Sequence, residues 1–206
     1  MGVFLFNIDW MSFNVMLALL AVLFGFFFMQ TKGKILQYLF GMLWFFFLPN
    51  TIYLYTDLQH ILQQWQGVSQ GEQMLLFMQY SFLQIIGFVT FVLAVRPFEI
   101  ILQRYKISQP VQLKLIILFN FLIGFGMVLG RIERLNSWEI FTQPQHVLMT
   151  SIHTATSFSL LGLAFLFGLV CNFSYFLFRD TIYYATKKAG NIFYKKAGQL
   201  YNRMTS

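Results

Sequence analysis

Charge is scarce in this chain, and so is cysteine. Only 10% of its 206 residues are Asp, Glu, Lys or Arg, against about 25% in a typical soluble domain. That shortage, together with apolar stretches of membrane-spanning length, excludes a soluble helical domain. The single Cys171 rules out an internal disulfide and leaves the redox compartment unmarked. Familiar catalytic signatures are missing too. No GxSxG elbow surrounds Ser137 or Ser159, which removes the usual setting of a serine nucleophile. There is no Walker A loop, dinucleotide fingerprint, HExxH or CxxC. The paired Arg/His/Asp motifs of lipid phosphatases are absent in their familiar spacing. Asp57, His60, Glu72, Glu139, His146 and His153 fall on one side of the membrane, but their spacing matches no metal-binding pattern. No metal and no cofactor are expected. The N-terminal stretch lacks the basic residues of a cleavable signal peptide.

Apolar residues fill the chain instead. Hydrophobic types make up 58%, and Phe alone occurs 27 times. Five stretches reach the ~20 residues that a ~30 Å hydrocarbon core requires. They lie near residues 11–29, 35–55, 73–95, 111–129 and 155–178. The sequence therefore predicts an all-α integral membrane bundle of about five transmembrane helices. Residues 1–180 would form one transmembrane domain and 181–206 a basic cytoplasmic tail. Ser69 and Glu72 have capping-box spacing for the third helix, and Pro110 suits the first turn of the fourth.

The net charge of +7 could suggest nucleic acid, but its distribution points to orientation. Twelve of the 14 Lys and Arg fall on one side of the spans, and only Arg131 and Arg134 fall on the other. The positive-inside rule then puts the N-terminus outside and the C-terminus in the cytoplasm. The tail repeats Lys-Lys-Ala-Gly at 187–190 and 195–198 among Tyr and Phe. Such a segment can contact anionic lipid at about 1 kcal/mol per basic residue. Its glycines weaken the case for helix.

Two polar runs interrupt the apolar chain on the outer side: residues 47–60 and 130–139. In the first, Pro49 sits inside the second span, where it tends to kink a helix. If helix continues, Asn50, Tyr53, Asp57, His60 and Gln64 fall within an arc of about 80°. That stripe rises from membrane depth to the surface. A polar residue as deep as Asn50 usually faces protein or water. Asp57 and His60, three apart, can touch, and a carboxylate beside an imidazole suits acid–base chemistry. A plain surface pair uses the same spacing.

In the second run, Gly130 reads as a helix stop. Helix across it would put Arg131, Arg134 and Trp138 on one face, and two arginines three apart can grip a carboxylate or phosphate. Asp57, Glu133 or Glu139 could instead neutralise them. Asn136 and Glu139 have capping-box spacing for a short surface helix ending before Pro144, with Trp138 as an interfacial anchor. Gly126 and Gly130 form GxxxG, which permits close helix approach. Gln79, Gln84, Asn120 and Asn172 are expected to bond between helices. No inverted repeat of the transporter kind is visible.

Together the runs resemble the signature of a bacterial family of multi-pass membrane proteins of unknown function. Its first motif matches Leu48, Pro49, Asn50, Thr56, Asp57 and His60. Its second matches Gly130, Arg131, Arg134, Asn136, Ser137 and Trp138. The family usually has Asp after the Trp, where this chain has Glu139, and an Asp near the start of the third span, where only Glu72 is near. The resemblance implies a multi-pass protein of the bacterial plasma membrane with an external site, and supplies no activity. The sequence-based expectation is a site of Asn50, Asp57, His60, Arg131, Arg134, Asn136 and Trp138. It would bind an anionic lipid or envelope headgroup among membrane lipids, with no nucleic-acid partner. Asp57 or Glu133 should pair with one of the arginines, and His60 should border the same cavity. The alternatives are a membrane enzyme with an Asp57/His60 acid–base pair and a small transporter.

Overall fold

The computed structural model describes residues 3–205, and side chains over 5–191. Among them every regular element is helical. The order is α1 (Val3–Gln30), α2 (Lys34–Thr56), α3 (Gln59–Trp65), α4 (Gln70–Arg104), α5 (Gln109–Arg131), α6 (Glu139–Thr142), α7 (Pro144–Thr156) and α8 (Phe158–Thr205). Five are long and apolar enough to cross a membrane: α1, α2 running on into α3, α4, α5 and α8. The protein is an all-α, five-span membrane bundle.

Three helices outrun the spans read from the sequence. α1 begins at Val3 rather than near residue 11. Its early polar residue Asn7 is fully buried. It is satisfied by a reciprocal amide pair with Gln64, at 2.8 and 2.9 Å. α4 was expected to end at 95 but continues through Pro97 to Arg104. Proline removes one backbone donor. The carbonyl it leaves without a helical partner is that of Leu93; the next one, of Ala94, accepts the Trp44 indole N–H at 2.7 Å. Gly25 leaves the space in which Trp44 and Pro97 meet, since a Cβ there would lie 2.9 Å from one and 3.0 Å from the other. α8 does not stop near 178. Helix carries on past Gly190 to Thr205, so the basic segment extends the last span.

α2 and α4 occupy the centre, with α1 packed on one side and α5 and α8 on the other. The shared core joins Leu48 and Ile52 of α2, Phe91 and Val95 of α4, Met127 of α5 and Tyr175 of α8. Between α5 and α8 the approach is backbone to backbone. A Cβ on Gly124 would run into the backbone of Ala164 and Gly168. Membrane helices associate by such close packing plus interhelical hydrogen bonds. Here Asn120 donates to Asn172 at 3.1 Å, and Gln84 of α4 donates to the Leu54 carbonyl of α2 at 2.5 Å. The capping box also forms: the Ser69 N–H donates to Glu72 at 3.0 Å.

Candidate functional site

The first polar run leaves the bundle where α2 ends. Helix closes at Thr56, and the next bonds are of the tighter i to i+3 kind: His60 N–H to Asp57 O at 3.0 Å and Ile61 N–H to Leu58 O at 3.2 Å. This tightening divides the stripe. Its lower part faces α5, and its upper part turns to α1. The His60 ring stands edge-on to Trp10, with centroids 5.4 Å apart. Gln64 goes to Asn7.

Asp57 is fully buried and lies between the two halves. Its Oδ1 accepts Arg131 Nη2 at 2.6 Å. Its Oδ2 accepts Asn14 Nδ2 at 2.9 Å. One carboxylate thus ties α1, α2 and α5 together. A buried charge is tolerable only when paired and hydrogen-bonded, and both oxygens of Asp57 meet that condition. Arg131, the last residue of α5, keeps 26% of its side chain exposed. A guanidinium has five donors in a fixed fork, so it can hold Asp57 on one edge and face outward on the other.

A second link lies deeper. Asn50, 5% exposed, donates Nδ2 to the Phe47 carbonyl at 3.0 Å and to Ser137 Oγ at 3.0 Å. Between the links, α2 lies directly on the glycines of α5. Pro49 covers Gly126, and the Tyr53 hydroxyl takes the place a Gly130 side chain would need. The GxxxG is a seat for α2 within the chain.

Past Arg131 the expected helix does not form, which corrects the shared face of Arg131, Arg134 and Trp138. Glu133 N–H reaches back to Val128 O at 3.1 Å and Leu135 N–H to Leu129 O at 3.0 Å. These bonds fold the chain over the end of α5, with Arg134 left-handed at φ 59°. Arg134 is exposed, and no acid pairs with it among the described residues. Glu133 instead faces His153 at 4.0 Å, and Glu139 faces His146 at 3.7 Å. Glu139 also accepts from the Asn136 side chain at 2.6 Å and its N–H at 3.2 Å. Those bonds hold its carboxyl below the usual carboxylate range. The predicted reach-back of Glu139 is present. α6 is a single turn, and Trp138 stands exposed on the loop.

Beneath this loop lies a cavity of about 260 Å³ between α2, α5 and α7. Phe45, Phe46, Leu122 and Phe125 form its apolar walls, and Tyr53, Asn136, Ser137 and Ser151 its polar edge. His60, expected to border the arginine site's cavity, does not line it.

Three polar positions escaped the sequence reading. Asn14 of α1 completes the Asp57 network, and its placement inside a span was the available signal; Asn7, which binds Gln64, lay before the span as read and gave none. At the opposite end, Glu99 accepts the hydroxyls of Tyr175 at 2.8 Å and Tyr183 at 2.9 Å, clamping α4 to α8. Among the described residues, no three of His, Cys, Asp and Glu gather as a metal site would need.

The sequence profile of a family described as "Protein of unknown function (DUF1361)" matches residues 13–173, a stretch that includes both polar runs. No curated protein and no solved structure matches the chain.

Proposed function

The chain belongs to the DUF1361 family, and we propose that its Arg131 end binds an anionic group of a membrane lipid or envelope component on the outer side of the membrane. One observation carries this reading. Arg131 is fixed by a buried carboxylate while Arg134, three residues on, is exposed and has no acid partner among the described residues. Asp57 offsets the charge of Arg131, and Glu133 and Glu139 lie toward His153 and His146, so Arg134 is the cation of this loop that no acid holds among the described residues. Asn136 and Trp138 flank it on the same loop. Asn50 anchors that loop through Ser137, whereas His60 turns away to Trp10 of α1 and takes no part.

The enzyme reading is weaker on this geometry. Both Asp57 oxygens are engaged and its carboxylate is sealed, whereas a general base must reach the proton it takes. The transporter reading is weaker as well, since among the described residues α2 below Asn50 packs through the apolar Trp44, Phe47 and Leu48.

A ligand that binds only the folded state raises stability. Anionic phosphatidylglycerol should raise the melting temperature of the purified protein more than zwitterionic phosphatidylcholine does. Arg134→Gln should remove the difference. Equal shifts from both lipids in the wild type would reject the reading. The orientation has its own check: cysteines in the Gly67–Gly71 turn should react with an impermeant reagent in intact cells, and cysteines in the tail should not.

A further inference from the structure

We propose that the cavity beside the arginines seats a segment of one hydrocarbon chain of an anionic phospholipid whose phosphate Arg131 and Arg134 hold. This rests on the reading of the arginines given above. The cavity and the cations are joined through the backbone. Gly130 and Leu135 line the cavity and are the immediate chain neighbours of Arg131 and Arg134. Consecutive Cα atoms lie about 3.8 Å apart, so the backbone that carries the two arginines borders the cavity. Polar atoms sit where cavity and loop meet, at Asn136 and Ser137, and apolar walls lie deeper.

The wall residues Phe45 and Leu122 are 37% and 46% exposed on the apolar flank of the bundle. The cavity therefore opens sideways at the height of the acyl chains, and a ligand reaches it through the bilayer. Its size sets what can enter. At about 260 Å³ it falls just below the roughly 300–1,000 Å³ of pockets that enclose a whole small molecule. One chain segment suits that volume. Moving a chain from lipid to protein gains little from the hydrophobic effect, because both are apolar. The gain is in dispersion contacts along the walls, and selectivity falls to the arginines.

Native mass spectrometry of the full chain in detergent tests this, using dioleoyl phosphatidylglycerol, its dihexanoyl analogue and dioleoyl phosphatidylcholine. Ser151→Phe fills the cavity from α7, and Val147→Phe does so from one turn away; each is checked for an unchanged helical spectrum and melting temperature. The wild type should retain dioleoyl phosphatidylglycerol over both other lipids. Either filling variant should retain it about tenfold less well, and Arg134→Gln should lose the preference over phosphatidylcholine. If both filling variants bind like wild type while Arg134→Gln loses the lipid, the chain site is wrong and the headgroup site stands. If the filling variants lose lipid while Arg134→Gln does not, the headgroup reading fails, and this proposal with it. Preferential retention of a polyisoprenyl phosphate would overturn the choice of phospholipid.

Discussion

Removing either partner of the Asp57–Arg131 pair should destabilise the protein, but unequally. Arg131→Met leaves a carboxylate that is only 1% exposed and holds a single remaining donor, Asn14 at 2.9 Å. Breaking a buried pair this way costs ~3–5 kcal/mol. Asp57→Asn leaves a guanidinium already 26% exposed, which can turn toward water. The lost charge-assisted bond then costs ~1.5–3 kcal/mol. For a chain of this size each kcal/mol moves the melting temperature by about 2–4 °C. Arg131→Met should therefore melt roughly 6–20 °C lower and Asp57→Asn roughly 3–12 °C lower. In the double variant no charge is buried, and the amide that replaces the carboxylate can still bond to Asn14. Coupling of ~1–3 kcal/mol is expected, so the double variant should melt above Arg131→Met alone. Scanning fluorimetry of the protein in one detergent measures all four proteins. Equal single losses that simply add would show that Asp57 is not a sealed carboxylate neutralised by Arg131.

Gly124→Ala should destabilise by about 1–3 kcal/mol through overpacking against the α8 backbone, read in the same melting assay. A wild-type melting temperature would contradict the α5–α8 crossing. Arg134→Gly should relieve left-handed strain of ~1–2 kcal/mol yet abolish the selective response to anionic lipid, separating stability from binding. Glu139 has its carboxyl depressed by Asn136, so its contribution is present above the unfolded pKa and is lost as pH falls through the folded one. The protection factors of the amides of residues 136–142, corrected for the intrinsic exchange rate, should therefore fall between about pH 5 and 3. Glu139→Gln should lack that step, and an unchanged step in the variant would refute the assignment.

The spans were legible because each is long and apolar, and the capping box because Ser69 and Glu72 have a local geometry that tertiary packing did not override. The contact of Asp57 with Arg131 was also foreseeable. Two polar segments emerged on one side, and a desolvated charge needs an opposite one. What failed was rotation and continuity. α1 is apolar on nearly every side, so its sequence carries no phase to show that Asn14 points at Asp57. The third span read as ending near 95, because its continuation through Pro97 rests on packing with Trp44 and Gly25 that no local pattern encodes. Arg134 read as helical from its spacing. Its left-handed backbone follows from the long-reach bonds to Val128 and Leu129, which no local pattern encodes. Glu99 was passed over as one more residue of a cytoplasmic loop, because the tyrosines that cover it lie more than seventy residues away.

The most direct test of the outer site is nitrogen–phosphorus dipolar recoupling by solid-state NMR. The protein would carry ¹⁵N-arginine in bilayers containing phosphatidylglycerol. An arginine guanidinium signal should dephase against lipid phosphorus at hydrogen-bonding range, and that dephasing should disappear in Arg134→Gln while the Arg131 signal persists. Dephasing that is unchanged in Arg134→Gln, or confined to arginines of the opposite end such as Arg104 and Arg179, would contradict an anion site at Arg131 and Arg134.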